Sequence, residues 1–331
     1  MMSRSPRWFM FLASASLVTV TGCAPPSLLI TPVSNRQGLA ETELSRDSWL
    51  AFDKIALIDL SGVIMNESRS GLLTQGEHPV SLLLEQLDKA RRDPSVKAAL
   101  LRINSPGGSV VASELMHNEI THFKTSGKPI IAVMMDVGAS GAYYAACACD
   151  EIVAQPSTVT GSIGVIMQMF DVSGTMKLIG LHSDAITSGP LKDAGSPFRE
   201  MKPEERQIFQ HIVNEMFDRF VKVVAAGRPK LTEARVRELA DGRVYTATQA
   251  LDNGLIDRIA TMRAVLATLK ERTGASAVRL VTYHRPFDYK PNYYATSPAR
   301  TADVNLINVE FSPSVGSWTP RFLYLWHVGV P

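Results

Sequence analysis

A chain of 331 residues, 45% hydrophobic and 20% charged, has ordinary globular composition and suits one large domain or two modest ones. Its 34 basic and 32 acidic residues leave a formal charge of +2, and no basic run exceeds a pair such as Arg91-Arg92, which excludes nucleic acid as a favoured partner. The seven histidines are scattered without metal-ligand spacing, so neither a metal nor a cofactor is expected.

Arg4 and Arg7 precede an apolar run, "WFMFLASASLVTV" at 8–20, and "VTGC" ends at Cys23. This is the pattern of a secretory signal peptide, and the run is too short for a membrane-spanning helix, which needs roughly 20 residues. The ending resembles the lipobox of bacterial lipoproteins. That resemblance implies a leader at 1–22 and a lipid on Cys23; a plain signal peptide with Cys23 incidental is the other reading. Lipid at Cys23 would hold the chain to a membrane by its N-terminus, in the cell envelope, facing the periplasm or the exterior. Ala24 leans towards the outer membrane by resemblance to sorting rules, and the choice of membrane stays open. Residues 23–50 are polar and Pro-bearing and read as a tether.

Beyond the tether, strands and helices alternate. "KIALIDLSGVI" at 54–64 is a buried strand and its continuation. Residues 79–92 place Leu82, Leu83 and Leu87 at helical spacing and stop before "RDPS". "VKAALLRI" at 96–103 is a strand, "NSPGGS" a turn, 109–124 a helix and "KPIIAVMMD" at 128–136 a third strand. "DVGASGAYYAACACD" at 136–150 becomes the next helix. "EIVAQP" at 151–156 and "GSIGVI" at 161–166 are short strands, followed by a helix near 173–180 and then "LHSDAITSG". Helices at 202–226, 233–240 and 247–253 come next. This alternation predicts an α/β fold with a mostly parallel sheet and helices on both faces. Residues 284–331, with "FLYLW" at 322–326, read as a C-terminal tail of unassigned role. Cys147 and Cys149, on nearly opposite faces of a helix, suit neither a disulfide nor a metal clip and read as buried small thiols.

Three stretches could carry chemistry. Ser140 lies between Gly138 and Gly141 where a strand turns into a helix. It is either a nucleophile, with free helix-start N–H groups ready for an oxyanion, or a helix-capping serine. "NSPGGS" at 104–109 also turns into a helix, and its two glycines could expose N–H groups. It lacks the spacing of a P-loop or a dinucleotide site, and an ordinary turn with Ser109 as cap remains open. Lys192, among small and apolar residues in a Gly- and Pro-bearing loop, is a base if desolvation lowers its pKa, and otherwise a solvated lysine.

"RINSPGG" at 102–108, "GASGAYYAA" at 138–146, "TVTGSIGV" at 158–165 and "GPLKDAGSPFR" at 189–199 occur in that order. Together they resemble the SppA-type signal peptide peptidases, serine proteases with a Ser/Lys dyad on a fold related to Clp protease and crotonase. The likeness covers residues 53–259, within a peptidase domain drawn at 51–283. It implies Ser140 as nucleophile, Lys192 as general base, Ser162 as the residue that orients the lysine, and the N–H groups of Gly108 and Gly141 as oxyanion hole. The strand–helix–strand between Ser140 and Lys192 would fold back to join them. Ala142 stands where the motif often has glycine, and Asp193 follows the lysine without a derivable role. The resemblance further implies peptide or protein substrates, such as remnant signal peptides or envelope polypeptides, and assembly into a homo-oligomer.

Two other readings compete. In chain order Ser140, Asp257 and His284 could form a Ser-His-Asp hydrolase, although "GASGA" ends in alanine where G-x-S-x-G needs glycine. A catalytically silent, peptide-binding lipoprotein is the second.

Overall fold

The computed structural model describes residues 38–67, 70–71, 74–75, 77–285 and 321–326. Cys23, the leader and the first part of the tether lie outside the described residues. In chain order the elements are β1 (Ala40–Arg46), β2 (Asp53–Ser61), β3 (Ser70–Gly71), β4 (Thr74–Gln75), α1 (Pro79–Arg92), β5 (Val96–Ser105), β6 (Gly107–Ser109) and α2 (Val110–Lys124). Then come β7 (Ile130–Ala139), α3 (Gly141–Ala146), β8 (Glu151–Ala154), β9 (Val159–Gly161), β10 (Ile166–Gln168), α4 (Ser173–Leu178) and α5 (Pro203–Gly227). The last are α6 (Glu233–Leu239), β11 (Val244–Thr246), α7 (Ala247–Asp252), β12 (Arg258–Ile259), α8 (Met262–Thr273), β13 (Val278–His284) and β14 (Arg321–Leu325).

The main sheet runs β1-β13-β2-β5-β7-β8-β12, with β9 also paired to β7 and β11 paired to β9. Every pairing in it is parallel except β1 with β13 and β11 with β9. The central strands are apolar on both faces, as a covered parallel sheet requires. Ala56, Ile58 and Leu60 of β2, Ala99, Leu101 and Ile103 of β5, and Ala132 and Met134 of β7 face the larger core, under α1, α2, α3, α5, α6 and α7. The alternate residues Ile55, Leu57, Ala98, Leu100, Ile131 and Val133 face α8 through Met262, Val265 and Leu269. Each such buried leucine or isoleucine contributes about 1.5–3 kcal/mol. The predicted α/β class, mostly parallel sheet and helices on both faces are therefore what the chain adopts.

Three expectations are corrected. Residues 40–46 are not tether but the edge strand β1, antiparallel to β13 from Ala40↔His284 to Arg46↔Arg279. Their intermediate–exposed alternation buries too little to show as an apolar run. Residues 161–166 are not one strand: β9 ends at Gly161 and β10 starts at Ile166, because Gly161 and Ser162 both take positive φ and turn the chain. The tail is not wholly outside the fold, since 321–325 is the middle strand of a small sheet, β10-β14-β6. α8 and β13, both within the span drawn as peptidase domain, complete the fold on the far face and at the β1 edge of the sheet.

Arg228, at the end of α5, closes the β8 side of the sheet. Its guanidinium donates to both Asp257 carboxylate oxygens, at 2.8 and 2.7 Å, and to the Gly254 carbonyl. Asp257 also accepts from the Ile152 N–H at 2.8 Å. Burial acts to raise the Asp257 pKa, but these hydrogen bonds and the Arg228 charge outweigh it and hold the carboxyl below its usual value. The stabilisation is therefore present above the unfolded pKa of about 4 and is lost as pH falls through the lower folded value. Arg228→Met should lower stability by about 2–3 kcal/mol, discounted for the partly exposed carboxylate. The check is the urea midpoint at neutral pH, with the gap to wild type closing under acid conditions.

Candidate active site

The site begins where β7 changes partner. Its first half pairs with β8, from Ile131↔Glu151 to Met134↔Ala154, and its end pairs with β9, from Val137↔Val159 to Ala139↔Gly161. Thr160 Oγ1 donates to the Gly138 carbonyl at 2.6 Å, and the Ser140 N–H donates to the Gly161 carbonyl at 2.7 Å. Ser140 is thereby held at φ 54°, ψ −117°. It and Ser162, φ 48°, are the two non-glycine residues with positive φ among those described. Such backbone costs of order 1–3 kcal/mol and persists where the surroundings over-determine it.

Ser140 occupies the N-cap position of α3, but its side chain makes no capping bond. Its Oγ is buried and has no hydrogen-bond partner among the described residues. The capping reading, which needs that bond, does not hold. Its carbonyl accepts from Tyr144 at 2.9 Å, so the helix starts on the backbone alone.

The two glycine turns meet beside it. A Cβ on Gly107 (φ 96°) would lie 2.6 Å from the Gly141 nitrogen, and one on Gly141 would lie 3.3 Å from the Gly108 nitrogen. A Cβ on Gly108 would stand 1.8 Å from the Ile64 carbonyl oxygen. Ile64 takes up the outer edge of this turn: its N–H donates to Gly107 O at 2.8 Å, and its carbonyl accepts from Ser109 N at 2.7 Å. The intervening Gly108 N–H and C=O therefore point to the opposite edge. The structure thus brings Ser140, Gly108, Gly141 and Ser162 together. Ile64's part in this is backbone pairing, which leaves no side-chain signal in a sequence. Nearby, the buried Arg102 of "RINSPGG" forms a two-pronged pair with Asp59 across β5 and β2.

Ser162 lies directly after Gly161 and lines a cleft of about 450 Å³ together with Ile166, Phe217, Leu325 and Trp326. Lys192 makes no hydrogen bond to any of them. Its side chain is exposed and has no hydrogen bond or ion pair among the described residues, and Ser140 Oγ is likewise unpartnered. Lys192 lies on an irregular, largely exposed segment. Asp193 does have a role. It accepts from Arg199 at 2.6 and 2.8 Å, and Arg199 also donates to the fully buried Glu205 at 2.6 Å. The Arg199 hydrogen bonds hold both carboxyls below their ordinary pKa.

The alternative triad is not assembled. His284 Nε2 is 2.6 Å from Thr42 Oγ1, and its Nδ1 is 2.7 Å from the Arg285 carbonyl. β13, which carries it, is separated from β7 by β2 and β5, three strand spacings or about 14 Å. Asp257 is engaged by Arg228 instead. Cys147 and Cys149 are buried; burial pushes the Cys147 thiol up to about 12 and raises Cys149 as well. Neither is a nucleophile.

Residues 122–276 match the profile of peptidase family S49. A protein of Enterococcus faecium named after signal peptide peptidase SppA is 36% identical over 242 residues, covering 73% of this chain and 70% of that one. A protein of Methanocaldococcus jannaschii named as a protease is 35% identical over 233 residues, 70% of this chain and 74% of that one. Protease 4 of Salmonella typhi is 37% identical over 217 residues, 66% of this chain but 34% of that longer protein.

The Arg199 clamp can be tested without substrate. It ties the segment bearing Lys192 to the start of α5, where Glu205 also accepts from the Lys202 N–H. In Arg199→Met, amides from 189–199 should exchange with deuterium at least about tenfold faster, while those of α1 stay as in wild type. Unchanged exchange at 189–199 would mean that the segment is held by something else.

Proposed function

This chain belongs to peptidase family S49 and is a serine peptidase, and from that premise we propose that it cleaves extended peptides through Ser140, with Lys192 as general base. The observation that carries this is the Ser140 hydroxyl, buried and unpartnered on a strained turn beside two glycine amides. Ser162 orients the lysine, a role that its strained, cleft-facing position next to Gly161 suits. The Gly108 and Gly141 N–H groups form the oxyanion hole. Remnant signal peptides or envelope polypeptides are the proposed substrates, in keeping with the name carried by the Enterococcus relative.

The chemistry follows from these positions. Neutral Lys192 Nζ takes the Ser140 proton as Oγ bonds to the peptide carbonyl carbon. The negative charge on the carbonyl oxygen rests on the two glycine amides. The C–N bond breaks as the lysine ammonium returns its proton to the leaving amine. Water then gives a proton to Lys192 as its oxygen bonds to the acyl carbon, and the C–Oγ bond breaks as Lys192 returns that proton to Ser140 Oγ, releasing the acid. A lysine amine is a base only when neutral, so the rate should rise with pH.

A lysine needs dry surroundings for this, and one chain does not provide them. Eight large apolar residues between 166 and 198 are exposed, among them Leu178, Ile179, Ile186 and Leu191. The surface around Lys192 is thus apolar and uncovered, as suits burial against another copy in a homo-oligomer. The chain is proposed to be a lipoprotein attached through Cys23, in the cell envelope on the periplasmic or outer side.

A fluorophosphonate probe should label Ser140 and fail on Ser140→Ala. Lys192→Ala should lose at least ~10²-fold of peptidase activity, while His284→Ala stays within about threefold of wild type. The reverse pattern would sink the dyad. Mixing inactive Ser140→Ala and Lys192→Ala protomers shows which serine the lysine serves. Regained activity assigns it to a neighbouring copy; background activity assigns it to its own chain. Cys23→Ser should move the protein from the detergent phase to the aqueous phase, and unchanged partition would remove the lipid anchor.

A further inference from the structure

The β5–β7 ladder breaks just before Ser140. Ile103 pairs with Met134, and the next pair is Ser105 with Gly138, so two steps along β5 meet four along β7. Pairing of β7 with β9 starts only at Val137. Side chains hold the break instead. Thr158 Oγ1 donates to the Met134 and Met135 carbonyls at 3.0 and 2.5 Å. From β5, Asn104 Oδ1 accepts from the Val137 N–H at 3.2 Å, and Asn104 Nδ2 donates to Asp136 Oδ2 at 3.2 Å.

Few side chains could do what Asn104 does. The Val137 N–H needs an acceptor and the Asp136 carboxylate needs a donor, and a short side-chain amide offers both. The same two partners fix which way the amide lies. Aspartate would set a second carboxylate against Asp136, and leucine, of similar shape, would leave the Val137 N–H unpaired. The Asn104 main chain is anchored separately: its carbonyl accepts from the Gly62 N–H at 2.9 Å, where β5 pairs with β2.

Two adjacent residues thus serve the two halves of the site. Val137 begins the short ladder to β9, and the bond from the Ser140 N–H to the Gly161 carbonyl ends it. Ser105, fully buried, accepts from the Gly107 N–H at 3.1 Å and so holds the glycine turn. Pro106, between Ser105 and Gly107, has its φ fixed by its ring. The serine turn is therefore referenced to residue 104 and the glycine turn to residue 105.

We propose that Asn104 is a positioning residue for the peptidase reaction: by holding the Val137 N–H, its amide sets Ser140 at its working distance from the Gly108 amide. This rests on the nucleophile and oxyanion roles given above to those residues. A displacement of about 1 Å at a reacting group can cost about 10²-fold in rate. Loss of the Asn104 acceptor should therefore fall on kcat and leave KM nearly unchanged, because the role assigned to Asn104 involves no contact with substrate.

The test uses full-length protein, a fluorophosphonate probe and an internally quenched peptide. Asn104→Leu should slow labelling of Ser140 at least about tenfold per folded molecule and lower kcat in step, with KM within about twofold of wild type. The segment containing Val137 should exchange its amides with deuterium faster. The double variant Asn104→Asp/Asp136→Asn swaps amide and carboxylate, keeps both hydrogen bonds, and should label within about threefold of wild type. Folded fractions are read from near-ultraviolet circular dichroism, so a loss of folding is not counted as a loss of positioning. A loss that the swap does not restore, or a change confined to KM, would overturn the inference. If wild-type Ser140 labels and Asn104→Leu labels equally fast, the positioning role alone fails. If wild-type Ser140 does not label, the nucleophile assignment and the positioning role fall together.

Discussion

The short parallel pairing of Val137, Gly138 and Ala139 with Val159, Thr160 and Gly161 holds the rest of the site in place. β7 leaves β8 after Met134 and takes up β9 at Val137, and that change of partner carries the chain out of the plane it had kept. Gly138 permits it: a Cβ there would lie 2.6 Å from the Met134 side chain. The ladder ends in the Ser140 N–H to Gly161 carbonyl bond, which holds one strained serine and directly precedes the other. Thr158 and Thr160 reinforce it by donating to β7 carbonyls. The strain at Ser140 is therefore borne by bonds on both sides of it, and the hydroxyl is left without a partner of its own.

The glycines act through the space they leave. Each of the absent Cβ atoms at Gly107, Gly108 and Gly141 would fall on main chain or on the Ser113 hydroxyl. Packing this tight lets two amides from separate turns converge, with no side chain between them and an incoming carbonyl. One edge of the first turn is consumed by Ile64. The other edge is what β14 pairs with.

Much of this was legible in the sequence, and the boundary has a physical cause. The central strands and α1 followed from periodicity, since both sheet faces are apolar and Pro79 starts the helix where its pattern begins. The site glycines and serines were legible as motifs because their backbone conformations demand those residue types. β1 and β14 were not, because an edge strand alternates weakly and a strand added from a distant segment has only its own five residues to announce it. The Asp193–Arg199–Glu205 clamp spans a loop with no period to read. The place of Lys192 depends on what covers the exposed segment around it, and one chain's sequence does not specify that.

These features bear on one another. The fold buries Ser140, but it leaves the Lys192 side chain exposed. Under the proposed dyad, Lys192 must be brought out of water before it can take the Ser140 proton. Under the proposed mechanism, the single chain is therefore inactive until Lys192 is covered. Covering the exposed apolar residues between 166 and 198 would supply that cover. β10 opens that exposed segment at Ile166 and pairs with β14 along its whole length, so the cover would lie against the small sheet that joins the glycine turn at β6.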